Sequence, residues 1–292
     1  MTRPGLVVVD KPGGMTSHDV VARVRRIAAT RKVGHAGTLD PMATGVLILG
    51  VERATKLLGY VAGHDKTYLA TIRLGAATVT DDAEGDIVAT ADASRLDDGA
   101  VRRALGGFVG AIDQVPSAVS AIKLGGVRSY ARVRAGESVD LAARRVRIDR
   151  IDVLAIRPGS VYDLDIEVDC STGTYIRALA RDLGTTLGVG GHLTALRRTR
   201  IGAFSLAAAS TLDELAESAE PVPIGIDTAM SSMFARRDLT PEEVDDVTHG
   251  RRIEPVGLPA PYGAFDSEGR AVALLEERGG QARTVVVIRP TS

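Results

Sequence analysis

Nine residues constrain this chain most. In Tyr162-Asp163-Leu164-Asp165-Ile166-Glu167-Val168-Asp169-Cys170, apolar residues and Cys170 alternate with acids. Successive side chains of a β-strand point to opposite faces, so the segment predicts a strand with one dry face. The other face meets water or another polar layer. Cys170 falls on the dry side, where a small buried hydrophobe is expected rather than a nucleophile. A helix follows from about Thr174, with Tyr175, Ile176, Leu179, Ala180 and Leu183 inward.

Other elements fall into place around it. Leu6–Asp10 predicts a short buried strand, broken by Lys11-Pro12-Gly13-Gly14. Ser17 is placed to cap a helix running to about Ala28, with Val20, Val21, Val24 and Ile27 on one face. A polar, glycine-rich loop, Gly34–Gly45, leads into the apolar run Val46–Leu49. Tyr68–Leu74 alternates, and an acidic turn, Thr78–Asp86, follows. Asp97–Leu105 predicts a helix and Val119–Lys123 a strand. Ala216–Ile226 has the composition of a linker. Beyond it, Thr240-Pro241-Glu242-Glu243 opens a helix that Gly250 ends, and strands follow to Thr284–Ile288. The tail therefore forms a small accessory domain.

A formal net charge of −1 first argues against a nucleic-acid partner. The distribution argues otherwise. Residues 1–60 carry +5, 128–150 carry +4 and 171–202 carry +4, whereas 80–98 carry −6. Basic segments sharing one face would attract phosphate despite the neutral sum, although arginine-rich helices also serve as plain solvated faces. A single cysteine allows no internal disulfide, which makes a reducing, cytoplasmic setting the default. Apolar runs such as Gly45–Gly50 are too short to span a bilayer. The sequence lacks a P-loop, a zincin helix and a nucleophile elbow, and its five histidines are scattered, so no metal is expected.

What remains is the loop Gly34-His35-Ala36-Gly37-Thr38-Leu39-Asp40-Pro41-Met42-Ala43-Thr44-Gly45. A residue before proline is pushed out of the helical region, so Asp40 is held extended or in a turn. Glycines let a bulky ligand approach the backbone. By itself, an Asp-Pro pair is also an ordinary turn that caps local N–H groups.

This loop resembles the catalytic loop of the tRNA pseudouridine synthase B (TruB) family. Five further segments agree in order: Val9-Asp10-Lys11-Pro12-Gly13-Gly14-Met15-Thr16-Ser17, Lys66-Thr67-Tyr68, Leu74-Gly75 through Thr80-Asp81-Asp82-Ala83-Glu84-Gly85, Gly173-Thr174-Tyr175-Ile176-Arg177 with Asp182-Leu183-Gly184, and His192 through Arg198. The likeness covers roughly residues 6–204; the tail resembles the family's small PUA-like RNA-binding domain more loosely. The resemblance implies an α+β pseudouridine synthase fold, with a mixed, largely antiparallel sheet flanked by helices. It divides the chain into a catalytic domain, 1–230, with an RNA-gripping insert at about 124–150, and a β-rich PUA-like domain, 231–292.

The same resemblance implies uridine-to-pseudouridine isomerisation in the T-loop of tRNA, at tRNA position 55. Asp40 would be the nucleophile, acting at C1′ or on the C2′ proton. Arg177 would keep Asp40 charged and oriented, although Arg181, one turn on, is open to the same role. Tyr68 would stack on the base, His35 would fill the space the base leaves, and Asp82 would support the pocket. Lys11 would lie beneath Tyr68 or near phosphate. Tyr175 is a further substrate-binding position. Arg128, Arg132, Arg144, Arg145 and Arg147 would contact T-arm phosphates. Read alone, Tyr68 is first a core tyrosine and Asp82 part of a solvated turn, while Arg177 is open to being a solvated helix residue and Lys11 a surface lysine at a strand end. No cofactor is implied, since the isomerisation gains and loses neither electrons nor atoms. The expected partner is the tRNA T-arm stem-loop, with no membrane and no required protein partner, and the chain is expected to act as a monomer. A synthase for another RNA, an RNA-folding protein on the same scaffold and a small-molecule nucleoside enzyme remain alternatives; the last has no use for the arginine-rich segment.

Overall fold

Runs of β-branched and alternating residues supply a large sheet. In the computed structural model, which describes residues 2–117 and 141–289 with the main chain of 123–124 and 127–128, its strands are spread along the chain. They are β1 (Gly5–Lys11), β2 (Val33–Ala36), β3 (Thr44–Val51) and β4 (Lys66–Leu74). A hairpin of β5 (Ala76–Thr78) and β6 (Ile87–Thr90) carries the acidic turn. Then come β7 (Gly110–Gln114), the short pair β8 (Lys123–Leu124) and β9 (Val127–Arg128), β10 (Arg144–Arg157), β11 (Tyr162–Cys170), β12 (Gly191–Ile201), β13 (Phe204–Ser205) and β14 (Ile224–Gly225). Among the described residues, ten strands form one sheet in the order β14-β1-β3-β12-β4-β11-β10-β7, with β2 beside β3 and β13 beside β12. The pairings are antiparallel except where β12 lies parallel to β3. The mixed, largely antiparallel sheet expected from the sequence is present.

The alternating acidic segment sits near the middle, as β11 between β4 and β10. Its dry side chains join an apolar layer formed with α1 (Ser17–Ile27), α3 (Asp98–Gly106) and α4 (Ile176–Thr186); α2 (Leu58–Gly63) lies on the opposite face of the sheet. Its acids meet arginines. Asp163 takes a two-pronged pair from Arg73, at 2.8 Å on each arm. Asp165 is paired with Arg157, Glu167 with Arg150, and Asp169 with Arg150 and Arg200. The polar layer is thus a ladder of ion pairs between strands, so these acids contribute little field of their own.

The stretch Ala216–Ile226 is no linker. It begins in α5 (Leu212–Glu217) and ends in β14, whose Ile224 and Gly225 pair with Leu6 and Gly5. Next, α6 (Ile226–Met233) runs across the expected domain boundary. The tail has four strands in sequence order, β15 (Arg236–Asp238), β16 (Tyr262–Phe265), β17 (Ala271–Arg278) and β18 (Gln281–Val287), with α7 (Pro241–Thr248) packed on them. Thr240 and Glu243 close the predicted capping box on α7. Phe265, Leu274 and Ile288 share one buried cluster with Leu6, Val8 and Ile48, so the tail and the ten-stranded sheet are fused through a common apolar layer.

The expected insert is also shorter at its far end. Residues 144–150 belong to β10, paired along β7 from Arg144 against Gln114 to Ile148 against Gly110. Burial of Val146 and Ile148 between exposed arginines fixes that strand. The predicted strand Val119–Lys123 lies outside the described residues but for Lys123. No helix among the described residues is long and apolar enough to cross a membrane.

Candidate active site

The loop that carries Asp40 spans Gly37–Ala43, between β2 and β3. Two clamps hold it. Leu39 exchanges two hydrogen bonds with the buried Ser17 hydroxyl, which accepts from the Leu39 N–H at 2.9 Å and donates to its carbonyl at 3.1 Å. On the other side of Asp40, the Pro41 carbonyl accepts from Gly14 N–H at 2.9 Å and from Lys11 Nζ at 3.1 Å. Asp40 is therefore pinned at both flanking residues, and its own carbonyl accepts from Ala43 N–H at 3.1 Å.

Its carboxylate meets a buried guanidinium. Arg177, in the first turn of α4, has Nε 3.0 Å from Asp40 Oδ2. The same guanidinium reaches back through Nη1 to Asp82 Oδ2 at 3.2 Å and to the Thr80 carbonyl at 2.8 Å. Arg177 and Asp82 are only 4% and 3% exposed, whereas Asp40 is 35% exposed. Charge is thus buried behind and opened in front. Two carboxylates pair with the arginine, Asp40 beside Nε and Asp82 beside Nη1, and a guanidinium is suited to serving two carboxylates at once. Asp82 is itself tied by Thr80 and by the Glu84 N–H. Glu84 lies nearby; burial, helped by the Asp82 and Asp40 charges, pushes its carboxyl above the usual range.

Before Asp40 and Arg177 opens a cavity of about 270 Å³. Its walls include Tyr68, Tyr175, Leu196, Lys66 and Arg198. Tyr68 is buried, and burial raises its phenol above the usual value. Tyr175 stands at the N-terminus of α4, its backbone locked in a two-way bond with the Gln114 amide. Arg198 comes from β12 and lies opposite Tyr68 in the strand register. It is buried and donates to the Val46 and Gly37 carbonyls, each at 2.8 Å. The parallel join of β12 to β3 sets Arg198 beside Gly45, where an added Cβ would stand 2.2 Å from the Arg198 carbonyl. Gly45 also has φ +96, so glycine is required there on both counts.

The structure brings together Asp40, Arg177, Asp82, Tyr68 and Tyr175. It separates others. Lys11 does not line the cavity; it is fully buried, and its three donors go to the carbonyls of Pro12, Met15 and Pro41. An ammonium so committed has nothing left for phosphate. The His35 ring is outside the cavity wall, edge-on to His18 with ring centres 5.4 Å apart. Arg181 pairs with Asp81 and Asp182, leaving Arg177 as the partner of Asp40. Arg144, Arg145 and Arg147 are exposed on β10; Arg145 pairs with Asp113, and Arg147 with Asp65 and Asp149. The Arg128 side chain and Arg132 lie outside the described residues. Sequence reasoning missed Lys66 and Arg198 as wall residues. The period of two held the signal, because Lys66 shares a strand face with Tyr68, as Arg198 does with Leu196.

Comparison with known proteins agrees along the chain. The family model described as TruB family pseudouridylate synthase (N terminal domain) matches residues 25–176. Those described as tRNA pseudouridylate synthase B C-terminal domain and tRNA Pseudouridine synthase II, C terminal, match residues 177–223 and 234–289. The structure is similar to a chain of the crystal structure of a Cbf5-Nop10-Gar1 complex, with TM-score 0.75 and 25% identity, covering 98% of this chain and 85% of that one. The tRNA pseudouridine synthase B of Mycolicibacterium paratuberculosis (strain ATCC BAA-968 / K-10) is 58% identical, covering 100% of both chains. That of Mycobacterium leprae (strain TN) is 57% identical, covering 98% of this chain and 91% of that one. Fold and family match define the class: this is a pseudouridine synthase, an RNA-modifying isomerase. Within that class, the chain belongs to the TruB family.

Proposed function

We propose that this chain converts a uridine in the T-loop of tRNA, at tRNA position 55, to pseudouridine, with Asp40 as the nucleophile. One observation carries the reading. Asp40 stands at the open edge of a cavity, its carboxylate 3.0 Å from a buried arginine that a second carboxylate braces from behind. A uracil inside a folded loop is out of reach, so it must be extruded into that cavity. The flipped ring then lies on Tyr68, and Asp40 faces the sugar. Breaking the C1′–N1 bond frees the ring to turn and reattach through C5. Whether Asp40 takes C1′ or the C2′ proton, either role uses an ionised carboxylate, and the Arg177 guanidinium stands 3.0 Å from it. Lys11, Ser17 and Asp82 act as positioning residues, because they touch the loop and the arginine rather than the substrate.

Recognition rests on the bent loop and its backbone more than on a duplex groove. The exposed arginines of β10 and the C-terminal sheet are the candidate contacts to the T-arm. A T-arm stem-loop labelled with tritium at uridine C5 tests the assignment. Wild type should release tritium, and Asp40→Asn should lose on the order of 10⁶ in rate, about 8 kcal/mol. Undiminished release by Asp40→Asn would sink the reading.

A further inference from the structure

Two cations in the cavity wall have no part in the reaction as described so far. Lys66 is buried on β4, two residues from Tyr68 and on the same strand face. Its Nζ donates to the Ala62 carbonyl at 2.9 Å and the His64 carbonyl at 2.7 Å. An ammonium has three N–H donors, so one has no acceptor among the described residues. Arg198 is fixed beside it. A Cβ added at Gly37 would meet Arg198 Nη1 at 3.4 Å and Lys66 Cε at 3.6 Å, so both cations stand against the loop that carries Asp40.

Burying this charge is costly. Desolvation, with Arg198 adding to it, pulls the Lys66 ammonium down to about 8 against the opposing influence of Cys170 and Asp65. At neutral pH it remains mostly protonated. Two carbonyls do not require a full charge to satisfy them, and a neutral donor would serve at lower cost. A buried charge kept at the wall of a reaction cavity suits a substrate that turns negative there.

We propose, resting on the reaction assigned above, that Lys66 is a further catalytic residue that donates its third N–H to a carbonyl oxygen of the departing uracil. When C1′–N1 breaks, its electron pair goes to the ring and spreads onto O2 and O4. C1′ is taken by the Asp40 carboxylate, or C2′ gives its proton to Asp40; the ring leaves as an anion either way. After rotation, C5 bonds to C1′ as the Asp40–C1′ bond breaks, or, on the second route, as Asp40 returns its proton to C2′; Asp40 is thereby regenerated, the C5 proton is lost and N1 gains one. Lys66 gives up no proton, so the step balances without a co-reactant.

The test compares two stem-loops, one with uridine and one with 5-fluorouridine at the target, whose more acidic base needs less help to leave. Single-turnover consumption is followed by nuclease digestion and mass spectrometry for wild type, Lys66→Met, Lys66→Arg and Asp40→Asn. Lys66→Met should slow uridine turnover on the order of 10²-fold, and the deficit should shrink roughly tenfold on 5-fluorouridine. Lys66→Arg, which keeps the charge, should recover part of the rate, and RNA affinity should hold within about threefold. An equal deficit on both bases would mean that Lys66 only organises its two carbonyls, and an undiminished uridine rate would likewise overturn the proposal. An inactive wild type, or an active Asp40→Asn, would overturn the underlying reaction and this proposal with it; a dead Asp40→Asn beside an undiminished Lys66→Met would overturn this proposal alone.

Discussion

Thr16 and Ser17 are adjacent hydroxyls at the start of α1, and their alanine variants should behave very differently. Thr16 is the true cap. It accepts from the Asp19 N–H at 3.1 Å, and Asp19 answers the Thr16 N–H at 2.8 Å, in an exposed capping box. Thr16→Ala should cost about 1 kcal/mol of stability and leave the reaction rate alone. Ser17 is 1% exposed and commits its hydroxyl to both backbone groups of Leu39, itself 4% exposed. Ser17→Ala removes one oxygen and opens little space, but it strands a buried N–H and a buried C=O beside Asp40. At about 1–3 kcal/mol for each of the two stranded groups, the substitution should cost roughly 2–6 kcal/mol. If about 2 kcal/mol of that is the cost of re-forming the Asp40 loop in each turnover, kcat falls about 30-fold. Urea unfolding and single-turnover tritium release, run on both variants, separate the two effects. A Ser17→Ala protein within about twofold of the wild-type rate would refute the idea that this hydroxyl holds Asp40 in place.

Two further outcomes follow from the same geometry. Burial lowers the Lys11 ammonium from 10.5 to about 8. Between those values the unfolded chain holds the proton and the folded one does not, so this group makes stability rise with pH, by up to about 3 kcal/mol in all. Unfolding free energies at pH 7.5 and 10 should therefore improve for wild type relative to Lys11→Met, and a difference that falls with pH would be fatal to the argument. On β10, changing Arg144 and Arg145 together to alanine should weaken T-arm binding and flatten its salt slope, by roughly one unit for each phosphate that is no longer neutralised. A slope identical to wild type in a filter-binding titration would clear both residues of any role in holding RNA.

The parts of the fold legible in the sequence were those written locally. Alternation marked β11 and β4, capping boxes marked helix starts such as Thr240 and Glu243, and the glycine-rich Asp-Pro loop marked the site. Position within a motif, however, does not reveal which way a side chain turns or what it finds there. Ser17 has the right type and place for a cap, but Thr16 takes that role and frees Ser17 to reach a loop 22 residues on. Lys11 ends strand β1, where a lysine normally reaches solvent, yet three carbonyls from two loops converge to bury it.

Arg198 is the sharper case. Its place against Gly37 and Val46 depends on the parallel join of β12 and β3, whose paired residues lie 153 positions apart. No local periodicity encodes such a join; it follows from the packing of the whole sheet. Charge repeats the lesson. The acids of β11 carry most of the visible negative charge of their segment, but arginines from three strands neutralise them. Asp40 has no such surround. Among the described residues only Arg177 forms an ion pair with it, and Arg177 is already shared with Asp82, so Asp40 keeps a solvent-facing side whose negative charge can act on a substrate. The distinction between the structural acids of β11 and the proposed nucleophile lies in that incomplete neutralisation, which depends on partners drawn from three distant parts of the chain.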